Sequence, residues 1–296
     1  MASASRLTDP EPAFIYGTAW KKDRTKDLVK DSLEAGFRSI DTAAQPRHYQ
    51  EALVGEGLRE AYAEGIVKRE DIYLQTKYTS PAGQDHENMP YHPLDPLPTQ
   101  IHTSLSSSFS NLRPESAAES QDKTYLDSLL LHSPLPTLDQ TLLAWKTLEP
   151  YVPDRIRALG ISNVSLPVLD ALYQNSTVKP KFVQNRFYPS TAYDIPLRAY
   201  CREKGITYQS FWTLTGNPEL LASKPVARLA SEVGVGREVA LYALVMDLGV
   251  VVLNGTTTAE HMAGDLDGIR KVREWKATHE KEWEHIGAGF EKLVES

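Results

Sequence analysis

Asp41, Tyr49, Lys77 and His132 are residues whose types, brought to one point, could move a proton. Three of them stand just past a short apolar run: Asp41 after Arg38-Ser39-Ile40, Lys77 after Ile72-Tyr73-Leu74-Gln75-Thr76, and His132 after Leu129-Leu130-Leu131. Tyr49 lies in the loop that follows Asp41. A tyrosine alone is a poor acid–base catalyst at neutral pH, because its reference pKa is about 10. An ammonium about 4 Å from the phenol, at an effective dielectric near 20, favours the phenolate by about 4 kcal/mol, or about three pKa units. The lysine must itself stay charged, and Asp41 can serve as its anionic neighbour. A histidine beside the same phenol can orient a carbonyl oxygen or pass a proton.

Each residue also has a plainer reading. Asp41 could cap a turn. Lys77 could be an exposed strand-end lysine, His132 a satisfied turn histidine ahead of Ser133-Pro134, and Tyr49 a packing residue at a helix start. The chemical reading prevails only if the elements that carry them converge.

The chain supplies such elements. Short β-rich runs alternate with longer helix-like ones. The strands are expected at Ala13–Gly17, Arg38–Asp41, Ile72–Lys77, Leu126–Leu131, Ala158–Ser162, Lys181–Gln184, Ile206–Phe211 and Val250–Leu253. Helices are expected at Thr25–Ala35, Ala52–Ala63, Leu138–Leu148, Leu166–Tyr173, Ile195–Glu203 and Arg237–Leu248, with Gly36, Gly205 and Gly249 as C-caps. Eight strands alternating with helices predict a parallel sheet with right-handed crossovers. An open doubly wound sheet that binds a dinucleotide should show G-x-G-x-x-G after its first strand, whereas this chain reads Tyr16-Gly17-Thr18-Ala19-Trp20-Lys21. Gly55 and Gly57 form an isolated G-x-G inside a helical pattern and are discounted. The expected fold is therefore an α/β (β/α)8 TIM barrel in one domain, in which the carboxyl ends of the strands face a common centre. Two stretches interrupt the rhythm, at about 79–98 and 113–122. They are surface loops around a site or plain insertions. From about 259 the chain reads as a helical extension, with Trp275, Trp283, Ile286 and Phe290 as packing residues.

The totals narrow the function. A length of 296 residues, 41% apolar and 24% charged, suits one large globular α/β domain. A net charge of −7 without a basic run argues against nucleic acid as a partner. Cys201 is the sole cysteine, so an internal disulfide is excluded and a cytoplasmic location is the simplest expectation. Met1 to Arg6 lacks the apolar stretch of a signal peptide. Apolar runs such as Val250–Leu253 are too short for a bilayer, so no membrane partner is expected. No metal site is expected, and the oligomeric state is expected to be a monomer or weak dimer.

The chain resembles the aldo-keto reductases, NAD(P)H-dependent carbonyl reductases built on a TIM barrel, and looks like a fungal-type member. The resemblance runs through Gly17-Thr18-Ala19-Trp20, Asp41-Thr42-Ala43 with Tyr49 and Val54-Gly55, and Thr76-Lys77. It continues through Leu129-Leu130-Leu131-His132-Ser133-Pro134, Gly160-Ile161-Ser162-Asn163 and Val183-Gln184-Asn185. It implies Tyr49 as general acid, Lys77 and Asp41 as its electrostatic partners, and His132 as substrate-orienting. It also implies that Ser162, Asn163 and Gln184 hold the nicotinamide carboxamide. Phe211 falls where the family usually has a stacking tyrosine, and an aromatic face stacks with or without a hydroxyl. Gly17, Thr18, Trp212 and Leu214 join the implied cofactor contacts. Trp20 matches a substrate-pocket tryptophan. Trp20, Trp212, Tyr78 and Tyr91 together hint at a flat or cyclic apolar substrate.

The chain departs from the family at the implied adenosine site, Leu253 to Met262. Members that prefer NADPH usually carry a lysine or arginine where Gly255 stands and an arginine where His261 stands. Thr256, Thr257 and backbone N–H groups at a helix start are left to meet a phosphate. Asp265 stands where an amide usually contacts adenine. NADP(H) is the expected cofactor, with NAD(H) as the second. Reduction of an aldehyde, ketone or imine carbon by hydride transfer is the expected activity. Two other functions fit the same residues: a barrel that binds NADP(H) and reports redox state without catalysis, and an isomerase that uses the Tyr/Lys pair for proton shuttling.

Overall fold

The computed structural model describes residues 14–295. Ala13, where the first strand is expected to begin, lies outside the described residues. So do the residues ahead of it.

Eight parallel strands close into a barrel in chain order. They are β1 (Phe14–Gly17), β2 (Ser39–Asp41), β3 (Tyr73–Tyr78), β4 (Ser128–Leu131), β5 (Leu159–Ser162), β6 (Phe182–Arg186), β7 (Thr207–Phe211) and β8 (Val251–Asn254). Each falls on an expected run, displaced by one or two residues. The helices that return the chain are α1 (Thr25–Ala35), α2 (Glu51–Ala63), α3 (Leu97–Asn111), α4 (Leu138–Leu148), α5 (Leu166–Asn175) and α6 (Ile195–Lys204). Between β7 and β8 come α7 (Pro218–Ala222), α8 (Lys224–Val233) and α9 (Arg237–Asp247), and after β8 come α10 (Ala259–Thr278) and α11 (Glu280–Glu295).

The strands alternate between two environments, as a period of two requires. Along β3, Leu74 joins the apolar cluster that also contains Leu28, Val54, Ile101 and Trp145. Its neighbours Gln75 and Lys77 join a polar network instead. Gln75, Gln184 and Gln209 are all buried. Their amides bond in a chain: Gln209 Nε2 donates to Gln75 Oε1 at 3.0 Å, and Gln184 Nε2 donates to Gln209 Oε1 at 3.0 Å. A barrel lumen is usually filled by branched apolar layers. Here one layer is made of carboxamides that satisfy one another.

Gly55 and Gly57 lie within α2, and their role is close packing. A Cβ on Gly55 would sit 1.8 Å from the carbonyl oxygen of Asn111, at the end of α3, and one on Gly57 would sit 2.5 Å from the Lys26 carbonyl in α1. Trp283, Ile286 and Phe290 are buried from α11, and Trp275 of α10 packs against the same core.

Candidate active site

Strand register sets the height of each side chain at the mouth. Asp41, the last residue of β2, lies level with Gly17 on one side and Gln75 on the other. Lys77 is level with Leu130, and His132 follows β4 directly. Three residues just past strand ends adopt left-handed conformations: Trp20 (φ 63°), Asn163 (φ 54°) and Trp212 (φ 60°). Non-glycine residues hold such angles at a cost of about 1–3 kcal/mol each, and they cluster where a site must be shaped.

Lys77 is buried and donates to Asp41 Oδ1 at 2.7 Å, Asp41 Oδ2 at 2.6 Å and the Thr42 carbonyl at 2.9 Å. These three bonds use all three ammonium protons. Asp41 Oδ1 also accepts from Gln75 Nε2 at 2.6 Å and Gln184 Nε2 at 3.1 Å. Burial lowers the Lys77 ammonium from its ordinary value, and the attraction of Asp41 opposes that fall. Glu51, at the start of α2, is a second buried carboxylate. It accepts from Thr76 Oγ1 at 2.5 Å, Ser108 Oγ at 3.0 Å and Asn111 Nδ2 at 3.2 Å, and burial raises its pKa.

Tyr49 stands over this pair. The Lys77 ammonium is 5.1 Å from its ring centroid, and the His132 ring meets it edge-on at 5.9 Å. The Tyr49 hydroxyl makes no hydrogen bond among the described residues. Burial and the Asp41 carboxylate push the phenol up from its ordinary value. This corrects the expectation that Lys77 would lower it. The lysine charge is compensated by Asp41, and its protons are already committed. The phenol therefore stays protonated, which suits a proton donor.

His132 is held neutral. Burial, Lys77, His48 and Arg186 all press its pKa well below the usual imidazole value. Its Nδ1 lies 2.7 Å from the Thr79 hydroxyl, and its carbonyl accepts from Asn163 Nδ2 at 2.9 Å. Thr79 is in turn fixed by Tyr91, whose hydroxyl donates to the Thr79 carbonyl at 2.5 Å. A hydroxyl that donates to Nδ1 leaves Nε2 as the ring's N–H donor.

Of the residues matched to the nicotinamide, Gln184 keeps an open acceptor, the group that the N–H of a carboxamide needs. Ser162 lies level with Gln184. Both Nε2 protons of Gln184 are engaged, by Asp41 and Gln209, while its Oε1 has no partner among the described residues. Asn163 Nδ2 reaches Ser162 Oγ at 3.1 Å. Phe211 is half-buried at the end of β7, with the Arg186 guanidinium over its ring at 5.3 Å. Trp212 and Trp20 are exposed at the mouth (51% and 64%), and Trp20 packs against His48 with the rings tilted and centroids 3.9 Å apart. Tyr78 and Tyr91 do not join them. Both are buried and stack on each other at 5.8 Å, because their hydroxyls turn inward to Gln100 and Thr79. Thr18 is buried too, with its hydroxyl donating to the Asp41 carbonyl at 2.9 Å. Leu214 is half-buried in the turn after β7.

At the loop after β8, Gly255 and Thr257 are exposed and Thr256 half-buried, while His261 is exposed on the first turn of α10. Asp265 accepts from Asn254 Nδ2 at 2.6 Å, and Asn254 Oδ1 accepts from the Thr256 N–H at 2.8 Å. Cations missing from the loop itself arrive from the turn after β1. Lys21 donates to the Gly255 carbonyl, and Arg24 Nη2 donates to the Thr257 carbonyl at 3.0 Å. Lys21, buried beside Arg24, falls to about 8. Tyr16 donates to the Thr256 carbonyl at 3.0 Å. Sequence reasoning missed Thr79, Gln75, Gln209, Arg186 and this cation pair. Arg186 and Lys21 left a signal, each a cation directly after a quoted motif.

Among the described residues no cluster of His, Cys, Asp and Glu could hold a metal ion. No helix there is long and apolar enough to cross a membrane.

The model of the Aldo/keto reductase family matches residues 13–263. An NAD/NADP-dependent indole-3-acetaldehyde reductase of Schizosaccharomyces pombe is 29% identical over 218 residues, covering 70% of this chain and 66% of the relative. A D-galacturonate reductase of Hypocrea jecorina is 28% identical over 282 residues, covering 86% and 82%. The chain thus spans about two thirds of the first relative's length and more of the second. Among solved structures, a Bombyx mori aldo-keto reductase in complex with NADP superposes with a TM-score of 0.70 at 22% identity, covering 90% of this chain and 89% of the other. That likeness speaks to the fold.

Proposed function

This chain belongs to the aldo/keto reductase family, and from that premise we propose that it reduces the carbonyl group of a small molecule with a nicotinamide dinucleotide. The observation that carries the reading is the protonated, unpartnered Tyr49 hydroxyl beside neutral His132, above the buried Lys77–Asp41 pair. When bound, the cofactor supplies a hydride to the carbonyl carbon. Tyr49 gives its proton to the developing alkoxide. His132, neutral and with Nε2 as donor, orients the carbonyl oxygen and stabilises the charge that grows on it. General acid help of this kind contributes about 10² to 10⁴ in rate. Lys77 and Asp41 are positioning residues that fix the floor beneath the phenol.

Gln184, Ser162 and Asn163 are assigned to the carboxamide, and Phe211 to stacking, with Gly17, Thr18, Trp212 and Leu214 beside them. Gly255, Thr256, Thr257, His261 and Asp265 are assigned to the adenosine end. Both named relatives are reductases, one of an aldehyde and one of a uronate, and the first is named for both NAD and NADP. Lys21 and Arg24 put positive charge beside the adenosine loop, which favours NADP(H) over NAD(H). Trp20 and His132 line the substrate side. We read the chain as a single domain, cytoplasmic, and a monomer or weak dimer. The test is a panel of aldehydes, quinones and cyclic imines with C4-deuterated NADPH. Deuterium in the product together with loss of reduced-nicotinamide absorbance supports the reading. Tight cofactor binding without turnover of any substrate would instead favour a redox-sensing barrel.

A further inference from the structure

Arg186 ends β6 at the rim of the mouth, level with Phe211. Its guanidinium lies 4.7 Å from the centroid of Trp212 and 5.3 Å from that of Phe211. One N–H, on Nη1, reaches Asn163 Oδ1 at 3.1 Å. The group carries five N–H donors, and the others have no partner among the described residues. It forms no ion pair among them either. The cation beneath Tyr49, Lys77, is neutralised at 2.6 Å by Asp41. Arg186 is therefore an uncompensated, half-buried positive charge in a chain of net charge −7. It acts on the site already, since its charge helps to keep His132 neutral. Through Asn163, which donates to the His132 carbonyl at 2.9 Å, it stands one side chain away from that residue.

We propose that Arg186 receives an oxyanion of the carbonyl substrate, so that the preferred substrates are aldehydes or ketones bearing a carboxylate or phosphate. The chemistry is that of a planar guanidinium fork, set beside two aromatic rings, which pairs with such groups through two parallel hydrogen bonds. The inference rests on the reading of this mouth as a carbonyl-reductase site. A rival source of the same charge is the cofactor's own diphosphate, and the experiment separates the two.

Succinic semialdehyde and pentanal are compared on the wild type, Arg186→Gln and Arg186→Lys, with NADPH dissociation constants and urea midpoints measured alongside. The wild type is expected to favour succinic semialdehyde in kcat/KM by at least about tenfold. Arg186→Gln is expected to raise its KM about 10- to 100-fold more than it raises the KM of pentanal or the Kd of NADPH, the loss of a charge-assisted hydrogen bond made only to the charged substrate. Arg186→Lys, which keeps the charge but not the fork, should fall between. An equal loss on both aldehydes with weakened NADPH would assign Arg186 to the diphosphate and overturn the proposal, as would no preference in the wild type. Calorimetric titration of succinate into the NADP⁺-loaded protein gives a readout independent of turnover. Weaker succinate binding in Arg186→Gln supports the assignment even if the carbonyl-reductase reading fails, and unchanged binding refutes it.

Discussion

Lys77 gives two of its three protons to Asp41, at 2.7 and 2.6 Å, and the third to the Thr42 carbonyl, so none is left for Tyr49. The pair is a closed unit beneath the phenol. Its contribution is to fix the floor of the site, while the phenol's protonation is set by burial and by the Asp41 charge.

Breaking that unit should be costly. Asp41→Ala leaves an unpaired ammonium in the barrel and strips Gln75 and Gln184 of an acceptor. A loss of about 3–5 kcal/mol is expected, as for other buried pairs cut on one side. Urea unfolding measures it. The double variant Asp41→Leu/Lys77→Met should recover part of the loss, because removing both charges leaves no stranded ion. A single-variant loss below about 1 kcal/mol would mean that water reaches the pair.

Neutral His132 predicts a pH dependence with a definite sign. Its folded pKa lies well below the unfolded value of about 6.5. The unfolded chain therefore binds more protons below that pH, and stability drops as pH falls from about 7 toward 5. The slope from this residue approaches about 1.4 kcal/mol per pH unit. His132→Gln should flatten the curve in this window relative to the wild type. Taking the difference isolates His132 from Glu51. Parallel curves would show that His132 is protonated in the fold.

A Thr79 hydroxyl that donates to Nδ1 of His132 places the ring proton on Nε2. Thr79→Val removes the hydroxyl 2.7 Å from Nδ1 at nearly constant volume. The expected result is a fall in kcat of about tenfold, less than the roughly 10² to 10⁴ of a general acid itself, with cofactor binding unchanged. Thr79→Ser should restore most of it. The ¹⁵N shifts of the imidazole report the tautomer directly. A change in rate without a change in tautomer would assign the effect to packing.

The lumen glutamines make a further prediction. Gln75→Leu deletes the donor to Asp41 and leaves Gln209 without the acceptor of its Nε2 proton. About 1–3 kcal/mol should be lost for the stranded polar group. The pair variant Gln75→Leu/Gln209→Leu should lose less than the sum, measurable as coupling in a double-mutant cycle.

The barrel was legible because parallel strands buried on both faces read as short apolar runs, and each run ends near a turn residue. α1 and α4 were legible to the residue from their apolar spacing. α3 was not, because Ser104 and Ser106 to Ser108 dilute the pattern, although Ile101, Leu105 and Phe109 recur every fourth position and are buried. α7 and α8 were lost for another reason. Each carries a proline, Pro218 and Pro225, in its first turn, where proline is tolerated, and no helix was expected between Phe211 and Arg237. In the site, Asp41, Lys77 and His132 could be found from strand ends, and Tyr49 from the loop that follows Asp41. Thr79, Gln75, Gln209 and Arg186 depend on partners far away in sequence, and only the register of a closed barrel brings those together. The sign of the Tyr49 shift was missed because a single lysine–phenol distance leaves out the burial of the phenol, the larger cause, and its repulsion by Asp41.

The central claim is that Tyr49 delivers the proton. Its direct test is NADPH oxidation by Tyr49→Phe against the wild type on the best aldehyde of the panel, with the Kd of NADPH measured on both. The account predicts a loss of about 10² to 10⁴ in kcat with a Kd changed less than about twofold. Turnover within a few-fold of the wild type, at the same Kd, would contradict it.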